Sequence, residues 1–248
     1  MLFSVKNNME DLPFYIGFIF LLSLIAVLLF VTYALFYGAR KNRKSRNNLM
    51  QYFIASFFFW MLGLWLLTLT PFFLDFEARP PRMIFVMFPP AMVIIMLFSL
   101  RQSRKFIKNI SLVPLTYIHL TRIPIEVILW WLASYSLFPL NLTFFRQNLD
   151  ILAGISAPFA TIFLIGTHIR KKIGAIVWNV AALMLVLNLV FHAAKATPCF
   201  WDPSVSNMPK QAVLYFPFIF LPGVMVPIII FSHVTSLYQL IFKKELLY

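Results

Sequence analysis

The chain has a single cysteine, Cys199, in 248 residues, so it has no internal disulfide framework and no CxxC-type metal cluster. Acidic residues are scarce as well: eight Asp and Glu stand against 21 Lys and Arg. Only 12% of residues are charged at all, and a soluble fold of this length needs more charge than that to cover its surface. No Walker loop, HExxH, GxSxG or Ser-Lys dyad occurs, which removes the motif-bearing hydrolase and nucleotide-binding classes. Apolar residues dominate instead, at 61% of the chain with 18% aromatic and a mean hydropathy of +0.85. These values describe an all-α integral membrane protein.

Uncharged or nearly uncharged stretches of bilayer-spanning length recur seven times, at 13–38, 50–74, 83–100, 111–137, 150–169, 173–194 and 212–242. Together they make 1–248 one polytopic transmembrane domain, a bundle of seven transmembrane helices. Pro89-Pro90 breaks the short third span, and Pro217, Pro222 and Pro227 kink the long seventh. The first stretch reads as a retained span rather than a signal peptide. Glu10 and Asp11 precede it where a basic region would stand, and its cations follow it.

Charge alternates between the connecting segments. "ARKNRKSRNN" after span 1, "RQSRKFIKN" after span 3, "RKK" after span 5 and "KKELLY" after span 7 hold 14 of the 21 cations and one acid. The positive-inside rule then places those segments in the cytoplasm, with the N-terminus outside and the C-terminus inside. The net charge of +13 is accordingly a topology signal, with anionic lipid at the cytoplasmic face and the surrounding bilayer as its partners. No nucleic-acid partner is expected, because that needs basic residues on a solvated fold.

Seven spans with an external N-terminus invite comparison with rhodopsins and hormone receptors. Retinal needs a Schiff-base lysine in the last span, and none lies between Gln211 and Phe242. The acidic-Arg-Tyr triplet of the receptors is absent after span 3, where the chain reads "SLRQSR", and one cysteine cannot supply their outer disulfide.

The fourth span, which includes "IHLTRIPIEVILWW", carries Arg122 close to the bilayer midplane and Glu126 one turn further on. His119 joins them on the same face, one turn toward the cytoplasm. An isolated charge at that depth costs roughly 2.5–3.5 kcal/mol on insertion scales, so the stripe faces the bundle interior. Two readings follow: an Arg122–Glu126 ion pair that only pins the span, or a substrate or proton site. Pro124 leaves the Leu120 carbonyl without its helical donor, and Arg122 or a water could serve it.

Further polar residues lie in the outer half. Asn148 suits a cap for the fifth helix, and Asp150 suits its first turn against the helix dipole. Ala153, Ala157 and Thr161 follow at four-residue spacing, which favours close helix packing. In span 6, Asn188 and His192 share a face; they either bond a neighbouring helix or join Glu126 and Asp150 in an outward-facing polar cavity walled by Tyr215, Trp130 or Trp131. Two carboxylates and a histidine could also take a divalent metal, though no HxxxH or ExxH spacing accompanies them. His119 and His233 lie toward the inner half, where they could serve as axial ligands of a haem, while His168 ends span 5.

"RIPIE" in span 4, "RQNLDILAGISAP" entering span 5 and "LYFPFIFLPGVMVPIIIFSHVTSLYQL" in span 7 resemble a family of bacterial multi-pass membrane proteins with no established activity. The resemblance runs from span 4 onward; the first three spans match only in hydrophobicity. It implies a bacterial inner membrane and seven spans, and no substrate or cofactor. Three functions stay open: binding, sensing or transport of a small solute or ion through Arg122, Glu126, Asp150, Asn188 and His192; an intramembrane, metal-assisted enzyme using Glu126, Asp150 and His192; and a purely structural or partner-binding role.

Overall fold

Apolar side chains cover both the inside and the outside of these helices. In the computed structural model, which describes residues 9, 11–38, 43–75, 78, 80–166, 171–196 and 212–242, the first helix α1 (Phe14–Gly38) shows this plainly. Ile16, Phe20, Leu24, Val27, Val31 and Ala34 are buried at the three-and-four spacing of one helix face, while Phe14, Phe18, Leu22, Ile25 and Leu29 face outward. A helix apolar all round belongs in lipid. All regular structure among the described residues is helical.

The α-helices that follow are α2 (Arg43–Thr68), α3 (Ile84–Ser99), α4 (Arg101–Ile107), α5 (Leu112–Tyr117), α6 (Arg122–Ser134), α7 (Asp150–Ala160), α8 (Lys172–Ala196) and α9 (Val226–Phe242). Five helical runs are long and apolar enough to cross a membrane: Phe14–Tyr37, Gln51–Thr68, Leu112–Ser134, Lys172–Lys195 and Leu221–Phe242. They become six if α3 and α4, bent by 92° against each other, count as one. The Asp150–Ile165 run is apolar but shorter.

Several expected boundaries shift for local reasons. The second span is expected at 50–74, but α2 begins at Arg43 and ends at Thr68. Pro71 then opens a separate 3-10 turn, Pro71–Leu74, whose first free donor, the Phe72 N–H, reaches Thr70 Oγ1. Span 4 stops at Ser134 rather than 137. Ser136 takes a left-handed φ of 60°, and the Leu137 and Ser136 N–H groups fold back to the Leu132 and Ala133 carbonyls. That pattern is a Schellman stop with serine in place of the usual glycine. In span 7, residues 212–219 form a 3-10 turn and further turns instead of spanning helix, because Pro217 and Pro222 cannot donate to preceding carbonyls. The run begins as a π turn, Leu221–Met225, and passes directly into α9.

Small residues set the distances between the inner helices. Along α8, Ala175, Asn179, Ala182, Val186 and Leu189 form the buried stripe. Along α7, Ala153, Gly154, Ala157 and Ala160 do the same, and Thr161 continues it. A Cβ on Gly154 would lie 2.9 Å from Ile123 Cγ1 and 3.2 Å from the His119 carbonyl. The α7 backbone therefore lies directly against the chain that carries His119 and Arg122. On the far side, the Trp60 indole donates to the Gly223 carbonyl at 2.8 Å and ties α2 to the π turn.

Candidate functional site

Span 4 changes helix type in its middle. Between α5 and α6 the chain tightens into a 3-10 turn, Ile118–Thr121, directly before Arg122. Pro124 explains the change, since it cannot donate to Leu120. The Arg122 N–H reaches the His119 and Leu120 carbonyls instead, so backbone serves the carbonyl that was expected to attract the Arg122 side chain or a water.

That frees the Arg122 guanidinium to cross to two other helices. Both terminal nitrogens donate to the Ala182 carbonyl of α8, each at 3.3 Å. Nε stands 3.3 Å from Asp150 Oδ2 at the start of α7, a charge contact without hydrogen-bond alignment. Arg122 is 1% exposed, and Asp150 is 4% exposed. The Arg122–Glu126 pair within one helix does not form: Arg122 takes its carboxylate from the neighbouring helix.

Glu126, also 1% exposed, is held by Asn148. The Asn148 amide donates to both Glu126 oxygens at 2.7 Å, and its own oxygen accepts the Asp150 N–H at 3.0 Å. Asn148 thus caps α7 as its position suggests and, with the other end of the same group, fastens that cap to α6. The Asp150 Oδ1 atom has no partner. Two acids and one base are enclosed together, so the fully ionised cluster carries one surplus negative charge.

Asn188 and His192 do not join this cluster. Asn188 is exposed and donates to the Gln147 carbonyl at 3.3 Å; His192 is half-buried with its ring edge-on to Phe191. The cavity expected from Glu126, Asp150 and His192 at one depth therefore lacks its histidine. Among the described residues, no three His, Cys, Asp or Glu side chains are grouped as metal ligands. Trp131 packs edge-on against Tyr15, and Trp130 meets Phe145 with ring centroids 5.6 Å apart and planes at 60°. Lys195, in the last turn of α8, lies over the Phe191 ring at 4.5 Å. His168 and Cys199 lie outside the described residues.

A second buried polar group lies one turn before Arg122 along the chain. His119 and His233 stack nearly parallel, their ring centroids 4.0 Å apart and their planes at 14°. Face-to-face rings this close leave no room for a macrocycle between them, so the pair is not a haem axial set. His119 Nε2 meets Ser232 Oγ at 3.1 Å, and His233 Nδ1 meets Asn179 Oδ1 at 3.0 Å. Trp178 flanks both rings and donates to Ser156 Oγ at 3.0 Å. On α9, Ser232, His233, Ser236 and Gln239 form one buried stripe, and Gln239 closes it by donating to the Ile107 and Ile110 carbonyls. The signal for this group is present in the sequence, as four polar residues at three-and-four spacing inside an apolar run.

No curated protein matches the chain, and no solved structure does. Over residues 80–241, which include every residue of both buried groups, it matches the model of a domain of unknown function (DUF8737), and it belongs to that family.

Proposed function

We propose that the protein is a seven-crossing membrane protein that binds a small solute or ion at Arg122, Glu126 and Asp150, for sensing or transport. The observation that carries this reading is the surplus carboxylate. Two acids and one base are enclosed at 1–4% exposure, and a buried uncompensated charge costs several kcal/mol unless something neutralises it. A monovalent cation, a protonated amine or a proton would balance the site. Asp150 Oδ1, which has no partner, is the atom open to it.

Asp150–Ile165 and the bent α3–α4 pair make up the count of seven, with the N-terminus outside and the basic segments in the cytoplasm. The family resemblance adds a bacterial inner membrane as the location. The 92° bend supports the lipid contact: it allows α4 to lie along the cytoplasmic surface, where Arg101, Arg104, Lys105 and Lys108 meet anionic headgroups. A structural role has its own support, since Asn148 and Arg122 between them tie α6, α7 and α8 together.

Thermal unfolding of the detergent-purified protein against a panel of alkali cations and small amines separates the two readings. A ligand that raises the melting temperature of wild type and not of Glu126→Gln supports the binding site. Stabilisation that is identical in both leaves Glu126 out of it and favours the structural role.

A further inference from the structure

The two buried histidines have fixed tautomers, and the hydrogen bonds around them show which. The Asn179 amide nitrogen donates to the Ala175 carbonyl at 2.9 Å, so its oxygen faces His233. An amide oxygen only accepts, and His233 Nδ1 therefore carries the proton. Ser232 Oγ spends its single proton on the Ile229 carbonyl at 2.7 Å. It can then only accept from His119, whose Nε2 carries the proton. Each ring is anchored by its N–H and left with one bare nitrogen, His119 Nδ1 and His233 Nε2. Both bare atoms are fully buried and have no partner.

Buried polar atoms without partners are rare enough that each calls for an explanation. Packing alone would be served as well by apolar side chains of similar shape. The position of the pair offers a function. Outward of it lie Arg122, Asp150 and Glu126; inward of it the α9 stripe continues through Ser236 to Gln239 at the α4 end of the bundle. Thr235 Oγ1, on the same helix, is also buried and unpartnered. We propose that His119 and His233 form a proton-relay station at the centre of the bundle, part of a proton path across the membrane.

The transfer needs no rearrangement of the network. A proton arriving at His119 Nδ1 forms an N–H bond with the ring lone pair, while Nε2–H stays on Ser232. Release breaks that same new bond, and the ring returns neutral. His233 does the same at Nε2, with Nδ1–H held on Asn179. The two rings stand with their centroids 4.0 Å apart. Arg122, one turn along the chain from His119, is the buried cation of the same span. Asp150 is paired to Arg122, and Asn148 holds Glu126. The other elements around the pair add no charge: α1, α5 and α9 contain no acid, lysine or arginine, and Lys172 and Lys195 lie near the two ends of α8.

The proposal does not rest on a solute binding at Arg122, Glu126 and Asp150, and it is tested separately from that site. Purified full-length protein is reconstituted into vesicles enclosing a pH-sensitive dye, and a potassium diffusion potential drives proton entry. Wild type should acidify the vesicles faster than protein-free vesicles do. His119→Gln and His233→Gln should each fall to the protein-free rate, while His192→Gln, at a half-buried histidine outside the stack, should keep its flux. Wild-type flux no faster than the protein-free control overturns the proposal, whether or not the variants fold. So does undiminished flux in both histidine variants.

Discussion

The Asn148 carboxamide donates to both Glu126 oxygens at 2.7 Å and uses its own oxygen to accept the Asp150 N–H. One neutral side chain is therefore shared between the acid of α6 and the start of α7. Replacing Asn148 with Ala removes a hydrogen bond to a buried charged group and a helix cap together. The expected loss is about 2.5–4 kcal/mol, from roughly 1.5–3 for the charged bond and about 1 for the cap. Asn148→Asp should do worse, because it turns an acceptor toward Glu126 and encloses a third negative charge. Chemical unfolding of the two variants beside wild type gives the order, and an alanine variant as stable as wild type would mean the bond is not formed.

Gly154 carries a more local prediction. A Cβ there would stand 2.9 Å from Ile123 Cγ1 and 3.2 Å from both the His119 carbonyl and the Ile123 nitrogen. Ile123 can rotate, but the two backbone atoms cannot yield without moving the turn that holds the His119–Arg122 region. Gly154→Ala should therefore cost about 1–3 kcal/mol, the usual range for overpacking. Gly63 of α2 has nothing within 4 Å of its Cβ position, so Gly63→Ala is the matched control and should sit within about 0.5 kcal/mol of wild type. Equal melting temperatures for the two variants would show that α7 is not in close contact.

Hydropathy and charge alternation made the helical, lipid-facing character of this chain legible from residue types alone. Span length was read less well where local chemistry intervenes. The Schellman stop at Ser136 lacks the expected glycine, and the turns at 215–219 look apolar enough to be helix. Arg122, Glu126 and Asp150 were recognisable because charge is rare in lipid. Their pairing was not: spacing along one helix points to Arg122–Glu126, whereas the 3-10 turn before Pro124 and the small Ala182 stripe direct Arg122 to α7 and α8. Asn188 and His192 satisfied the same periodicity argument yet lie near the surface, because periodicity says which residues share a face and not which way the helix turns that face. Depth in the spans puts His119 and His233 in one half of the bundle, but their direct stacking joins residues far apart in the chain and follows from no spacing rule.

The two carboxylates of the buried cluster should respond differently to neutralisation, and the difference identifies the spare charge. Asp150 is the carboxylate paired with Arg122, so Asp150→Asn leaves a buried guanidinium held only by the Ala182 carbonyl. Removing one partner of such a pair costs about 3–5 kcal/mol. Asn is nearly isosteric and keeps one acceptor, so the loss belongs near the lower end of that range. Glu126 has no cation of its own, and in Glu126→Gln the Asn148 amide can still donate to the one side-chain oxygen that remains. Neutralising Glu126 cancels the surplus charge of the enclosed cluster, and the stability of the unliganded protein should stay within about 1 kcal/mol of wild type or rise. Equilibrium unfolding of Asp150→Asn, Glu126→Gln and the double variant measures both effects and their coupling. Equal losses in the two single variants would mean that Arg122 shares its charge between both acids, and that neither of them is spare.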